Sequence, residues 1–193
     1  MHAAVSGLMV LAAYGVGCLT AGYYLVRFGK GADIHDIGSG NVGARNVSRV
    51  LGRTGFAVTL ALDMAKGMLV VWAARRAGLE PFAVAAAGAA VVAGHIWPLQ
   101  FRFRGGKGIA AAIGVILALN WILMGLVIAQ FLVLYVFVRS FTIAGLGAIA
   151  VTPLTAVLVG QPGVQALGIA AIAALVLFSH RENLAERLGT RRS

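Results

Sequence analysis

Gly94-His-Ile-Trp-Pro-Leu-Gln-Phe-Arg-Phe-Arg-Gly-Gly-Lys-Gly-Ile-Ala110 stands between two apolar runs, Phe82 to Ala93 before it and Ile109 to Leu119 after it. Between residues 95 and 108 lie one histidine, one proline, three glycines and the cations Arg102, Arg104 and Lys107. Gly105, Gly106 and Gly108 open backbone conformations closed to other residues, so that several N–H groups can point at one anion. Lys107 adds a full charge there, and a helix starting near Gly108 adds its positive dipole end. These are the parts of a phosphate cradle. The pattern is not a P-loop, because Phe101 stands where the first Walker glycine belongs and Gly108 where Ser or Thr should follow. The alternative is a glycine-softened turn whose cations meet lipid headgroups.

Composition fixes the setting of this turn. Of 193 residues, 60% are hydrophobic and 11% charged, against about 25% charged in soluble domains. The chain therefore reads as an all-α polytopic membrane protein forming one integral-membrane domain over residues 1–193. A net charge of +10, distributed among long apolar runs, points to topology and anionic ligands rather than nucleic acid. One cysteine excludes an internal disulfide and a cysteine-based zinc site. Cys18 lies inside the first apolar run and reads as a packing residue. That run, Ala3–Val26, is too long for a signal-peptide core and is expected to be a retained span.

Working outward from the turn gives seven candidate spans: Ala3–Val26, Gly55–Ala74, Pro81–Ile96, Gly108–Leu119, Trp121–Val138, Phe141–Leu158 and Val164–Ser179. A span needs about 20 apolar residues, and the fourth reaches only about 18 Å. It is either re-entrant or fused with the fifth, with Asn120 as the break. Seven spans place Arg27, Lys30, Arg45, Arg49, Arg53, Arg102, Arg104, Lys107, Arg139, Arg181, Arg187, Arg191 and Arg192 on one face. Arg75 and Arg76 fall on the other, and Lys66 lies within a span. The positive-inside rule then puts the N-terminus outside and the C-terminus in the cytoplasm. Rows of small residues, among them Ala13/Gly17/Ala21 and Ala86/Ala90/Gly94, allow close helix approach in lipid.

The same topology gathers three polar segments on the cytoplasmic face. In the first, Gly38, Gly40 and Gly43 interleave with Ser39, Asn41 and Asn46, followed by Arg49 and Arg53. Glycine gives backbone access, the hydroxyl and amides give oriented hydrogen bonds, and arginine suits bidentate oxyanion binding. The second is the Gly94–Ala110 turn, with His95, Arg104 and Gly105–Gly108. The third is His180-Arg-Glu-Asn183 at the end of the last span, where His180 is a general base or a hydrogen-bonding anchor and Glu182 pairs an arginine. Asp63 and Lys66 stand three apart on one helical face inside the second span, and read as an ion pair with a structural or supporting role. The four histidines and six carboxylates are too dispersed to hold a metal, and no cofactor is expected.

These residues carry a resemblance. Gly38-Ser-Gly-Asn-Val-Gly-Ala44, Asn46, Arg49, Asp63-x-x-Lys66-Gly67, Gly94-His95, Pro98, Phe103, Gly105-Gly-Lys-Gly108 and His180-Arg-Glu-Asn183 resemble, in order, the motifs of the bacterial acyl-phosphate-dependent glycerol-3-phosphate acyltransferases. Arg45 departs from a usual threonine and Gln100 from a usual aromatic residue. The resemblance implies transfer of an acyl group from acyl phosphate to the sn-1 hydroxyl of glycerol 3-phosphate, giving lysophosphatidate and phosphate at the inner membrane. It further implies a soluble partner enzyme that makes the acyl phosphate. His180, Asn183, Ser39 and Arg49 would then serve catalysis. Gly38, Gly40, Asn41, Gly43, Asn46, His95, Arg104, Gly105, Gly106, Lys107 and Gly108 would bind substrate phosphates. Independently, five residues after His2, His35, His95 and His180 stand Gly7, Gly40, Gln100 and Ala185, so the His-x-x-x-x-Asp box of soluble-type acyltransferases is absent. An organic-phosphate transporter would want a similar basic face, but no internal inverted repeat is visible. A CDP-alcohol phosphotransferase needs an aspartate cluster that this chain lacks.

Overall fold

A computed structural model describes residues 2–187; Arg191 and Arg192, and the side chain of Arg187, lie outside what it describes. Among the described residues the chain is helical with no strand. The α-helices are α1 (His2–Cys18), α2 (Ala21–Lys30), α3 (Ala44–Arg76), α4 (Pro81–Ile96), α5 (Ile109–Leu119), α6 (Trp121–Val138), α7 (Phe141–Leu158), α8 (Gly163–Ser179) and α9 (Arg181–Arg187). Among the described residues, five segments are long and apolar enough to cross a membrane: residues 3–30, 44–76, 81–101, 121–138 and 141–158. The apolar helices α5 and α8, of 11 and 17 residues, are shorter.

Helix α4 is the axis of the bundle. It packs against α1, α3 and α8, and 61% of its apolar window is buried, against 17% for α6. Close approach follows from glycine. A Cβ on Gly17 would strike the Val91 carbonyl, and one on Gly94 the Tyr14 carbonyl, so α1 and α4 meet backbone to backbone. Gly67 and Gly114 do the same for α3 and α5, facing the Ala111 and Met64 carbonyls.

The first expected span is not one helix. It stops at Cys18, and Thr20 takes an extended conformation (φ −85°, ψ 105°) before α2 departs. The reason lies elsewhere in the chain. Lys66 Nζ donates to the Gly17 and Leu19 carbonyls, at 3.0 Å each, and Gln100 Nε2 donates to the Cys18 carbonyl at 2.6 Å. These donors satisfy carbonyls that continued helix would have used internally. Helix α2 then runs amphipathically, with Phe28 exposed and Val26 buried.

Two other boundaries are set locally. Asn120 accepts from the N–H groups of Ile122 (2.8 Å) and Leu123 (2.9 Å) and caps α6. Arg75, at the end of α3, closes α5 by donating to the Ala118 and Leu119 carbonyls, at 2.7 and 2.9 Å. The fourth and fifth apolar runs are therefore separate helices. Helix α3 starts within the segment read as a polar loop and bends at Gly52, whose φ of 63° and ψ of −157° is a conformation essentially reserved to glycine.

Candidate active site

The two glycine-rich loops and the end of α8 converge. In the first loop, Asp33 accepts from the His35 N–H (2.9 Å) and caps a 3-10 turn, Ile34–Asp36. Gly38 (φ 58°) and Gly40 (φ 65°) then turn the chain back. Asn46 is buried: its Oδ1 accepts from the Ser39 N–H (3.2 Å), and its Nδ2 donates to the Ile37 carbonyl (2.8 Å). Asn41 Oδ1 accepts from the Gly43 N–H at 2.8 Å, at the threshold of α3. The amides of Asn46 and the oxygen of Asn41 therefore build the loop, where the sequence suggested contact with substrate. Ser39 and Arg49 remain exposed. A Cβ on Gly38 would collide with the Arg49 guanidinium, so that cation lies directly over the turn.

The second loop is held differently. The Gly105 N–H donates to the Ile96 carbonyl (3.1 Å) and the Gly106 N–H to the His95 carbonyl (2.9 Å). These two amides therefore close a turn onto the end of α4 and do not point at an anion, which corrects the cradle expected from the sequence. Arg102 and Phe103, with φ of 52° and 63°, adopt the left-handed conformation just before it, a strained state that persists where surrounding structure enforces it. Gly108 (φ 80°) begins α5, whose N-terminus carries no side-chain cap. That uncapped positive end, together with half-buried Lys107, retains the means to hold an anion.

His95 sits beneath this turn rather than in it. It is 2% exposed, and its ring occupies the place a Cβ on Gly106 would need. Its Nδ1 lies 2.8 Å from Lys66 Nζ, and Lys66 Nζ is 3.0 Å from Asp63 Oδ1. Lys66 donates into this pair and into the α1 carbonyls, which leaves Nδ1 of His95 as an acceptor. Asp63, Lys66 and His95 thus form a buried floor joining α1, α3 and α4. His95, expected as a phosphate ligand, supports the loop from below. Glycine at 106 is required by that ring.

The third segment closes the site. Ser179 Oγ lies 2.9 Å from the Lys107 carbonyl and 2.7 Å from the Val176 carbonyl, tying the end of α8 to the second loop. His180 is buried, and its Nδ1 donates to the Val176 carbonyl at 2.8 Å. That bond leaves Nε2 as the acceptor nitrogen. Burial first, and then the nearby Lys107 charge, push its pKa below the ordinary imidazole value, against the opposing effect of the Val176 bond. The Leu184 N–H donates to the His180 carbonyl (3.0 Å), so helical geometry places Asn183 one turn from His180. Asn183 Oδ1 is buried without a hydrogen-bond partner. Glu182 is exposed, and no cation pairs with it among the described residues; Arg187, Arg191 and Arg192, which follow it, lie outside the described side chains. Among the described residues, no three His, Cys, Asp or Glu side chains gather closely enough to hold a metal.

The family model described as glycerol-3-phosphate acyltransferase matches residues 7–189. The chain belongs to the glycerol-3-phosphate acyltransferase family. A family relative, glycerol-3-phosphate acyltransferase 1 of Desulfitobacterium hafniense (strain Y51), is 40% identical over 180 residues, covering 93% of this chain and 89% of that protein. The glycerol-3-phosphate acyltransferase of Pseudomonas putida (strain GB-1) is 39% identical over 178 residues, covering 92% and 93%. Among solved structures, PlsY, an integral membrane glycerol 3-phosphate acyltransferase, in its glycerol 3-phosphate form superposes with a TM-score of 0.88 at 32% identity, covering 98% of this chain and 94% of that one. Its lysophosphatidic acid form gives 0.85 at 30%, with the same coverage.

Two residues at this site carry no signal from residue type alone. Ser179 is one serine at a span end, and His35 (below) belongs to no motif. Their partners are main-chain carbonyls 72 and 69 residues away, and a carbonyl acceptor leaves no trace in the partner's identity.

Proposed function

We propose that the protein transfers an acyl group from acyl phosphate to the sn-1 hydroxyl of glycerol 3-phosphate, giving lysophosphatidate and inorganic phosphate. The observation that carries this reading is the meeting of Lys107, Arg49 and Arg104 with a neutral, oriented His180 and the orphan oxygen of Asn183. Lys107 with the start of α5, and Ser39 with Arg49, hold the two substrate phosphates. Asn183 Oδ1 accepts from a glycerol hydroxyl and orients it. The sn-1 oxygen attacks the acyl carbonyl carbon, its proton passes to His180 Nε2, and the bond from that carbon to the phosphate oxygen breaks. His180 then returns the proton to the departing phosphate. An acyl phosphate is already activated, so this route uses no cysteine nucleophile.

The donor's tail has a place to lie. An apolar groove of about 780 Å³ runs between the α1–α2 break and α3, lined by Leu19, Tyr24, Leu25, Phe28, Leu62 and Lys66. Lys66 is shared with the floor beneath Gly106, so the groove leads from the site toward lipid. The reading includes seven spans, with the N-terminus outside, the site on the cytoplasmic face of a bacterial inner membrane, and acyl phosphate delivered by a soluble enzyme. The charge division between the two loop faces supports it.

The test is release of phosphate from palmitoyl phosphate by purified protein. Release is expected only when glycerol 3-phosphate is present, with matching formation of lysophosphatidate. Equal release without glycerol 3-phosphate, or turnover of acyl-CoA by the phosphate-free enzyme, rejects this function.

A further inference from the structure

His35 belongs to none of the motifs above, yet it joins the two loops of the site. Its side chain is 8% exposed, and its ring lies between Tyr23 of α2 and Phe101, with centroids 5.7 and 5.5 Å away. Nδ1 is 2.9 Å from Asp33 Oδ1, and Nε2 is 2.7 Å from the Arg104 carbonyl. Both partners are acceptors. A ring with one proton satisfies one of them and opposes a lone pair to the other, whereas a ring with two protons donates to both.

The surroundings hold both acceptors in place. Facing the ring are the Asp33 carboxylate on its own turn, the Tyr23 hydroxyl group's ring on α2, and Arg104 on the second loop. Arg27 of α2 acts on Asp33, and Asp36 adjoins on the same turn. The hydrogen bond from the His35 N–H is the largest influence on Asp33 and holds its carboxyl below the ordinary value, so it is an ionised acceptor. The link is double: a Cβ on Gly40 would lie 3.0 Å from the His35 carbonyl and 4.0 Å from Arg104 Nη2. Arg104 is thus gripped at its carbonyl while its guanidinium lies beside the first loop.

We propose that His35 is the positioning residue that locks Arg104 and the Gly105–Gly108 turn to the Gly38–Gly43 loop, fixing the spacing of the two anion-binding loops. The proposal rests on the reading of these loops as the glycerol 3-phosphate and acyl phosphate site. Without the ring the Asp33 and Arg104 contacts are lost together, the loops separate, and substrate binding weakens.

The experiment is steady-state kinetics of the purified enzyme at one fixed pH, with thermal unfolding alongside, for wild type, His35→Ala, His35→Gln and His35→Arg. Alanine removes both contacts, glutamine keeps one donor group, and arginine keeps donors enough for both partners. The KM for glycerol 3-phosphate of His35→Ala is expected to rise about tenfold, as a hydrogen bond to a charged group is lost, with kcat level. His35→Gln should recover part of that loss and His35→Arg most of it. A folded His35→Ala with wild-type KM overturns the proposal, as does a fall in kcat that leaves KM unchanged. If His35→Ala fails to fold, a wild-type KM in folded His35→Gln overturns it alone. Wild type without saturable dependence on glycerol 3-phosphate is a different result, which rejects the substrate reading and the lock with it.

Discussion

The two glycine-rich loops look alike in sequence and are held in opposite ways. The Gly38–Gly43 loop is built by side chains: Asn46 and Asn41 supply its bonds, and glycine turns the chain and leaves room for the ends of the Asn46 and Arg49 side chains. The Gly105–Gly108 loop is built by main chain: its amides bond the last carbonyls of α4, and glycine is needed because His95, Pro98 and carbonyls fill the space a Cβ would take. The first loop is therefore vulnerable to losing atoms, and the second to gaining them.

The largest effect should fall where the loops share a third partner. Positioned acid–base groups contribute about 10²–10⁴-fold to a rate, so His180→Ala should lower kcat by at least about 10²-fold with folding intact. Asn183→Ala should do the same, and the double mutant should be little worse than either if they act as one unit. Near-wild-type kcat in folded His180→Ala would reduce this histidine to an anchor, leaving catalysis to the loops alone. The pH dependence has a definite sign. His180 has a lowered pKa, so its contribution to both rate and stability is complete above the ordinary imidazole value and is lost as pH falls through the lowered one. A kcat that rises toward acid would contradict its role as base.

The comparison itself is tested by one pair of variants. Gly106→Ala drives a methyl into the His95 ring and should cost about 1–3 kcal/mol of stability by overpacking. Truncating the ring below it, in Gly106→Ala/His95→Ala, should return part of that loss. Asn46→Ala takes the partner from the Ser39 N–H and one of two donors from the Ile37 carbonyl, and should cost about 1–3 kcal/mol, with no smaller neighbour able to restore it. Thermal unfolding of the four proteins measures both. Equal rescue of the two loops by shortened neighbours would erase the distinction.

The contrast also explains what could be read from the chain. Six of the seven apolar runs became the helices expected of them, because length and hydropathy act locally. Asn120 was readable as a boundary since its side chain caps the helix beside it. The break in the first run was not, because Leu19 and Thr20 carry no breaker signal and the donors that cause it, Lys66 and Gln100, lie 47 and 82 residues away. Gln100 supplies its bond to the Cys18 carbonyl through a side-chain amide that residue type alone does not aim. In the site, residue types marked the correct segments. They did not say that Asn46, Gly105 and Gly106 face inward, because an inward amide and an outward one have the same letter.

The smallest effect is expected one residue from one of the largest. Glu182 lies between Arg181 and Asn183, in a segment that resembles a family motif, and its place there suggests a role comparable to its neighbour's. Its surroundings say otherwise. It is exposed, without an ion pair among the described residues, and stands in the first turn of the seven-residue α9. A carboxylate there favours the helix dipole by about 0.3–1 kcal/mol, less in salt. Glu182→Ala should therefore leave kcat and KM near wild type and lower stability by no more than about 1 kcal/mol. Glu182→Gln, which keeps shape and loses charge, should match it. A fall in kcat that Glu182→Gln shares, with stability unchanged, would mean that the carboxylate charge serves the reaction, and the third segment would then hold three functional side chains instead of two.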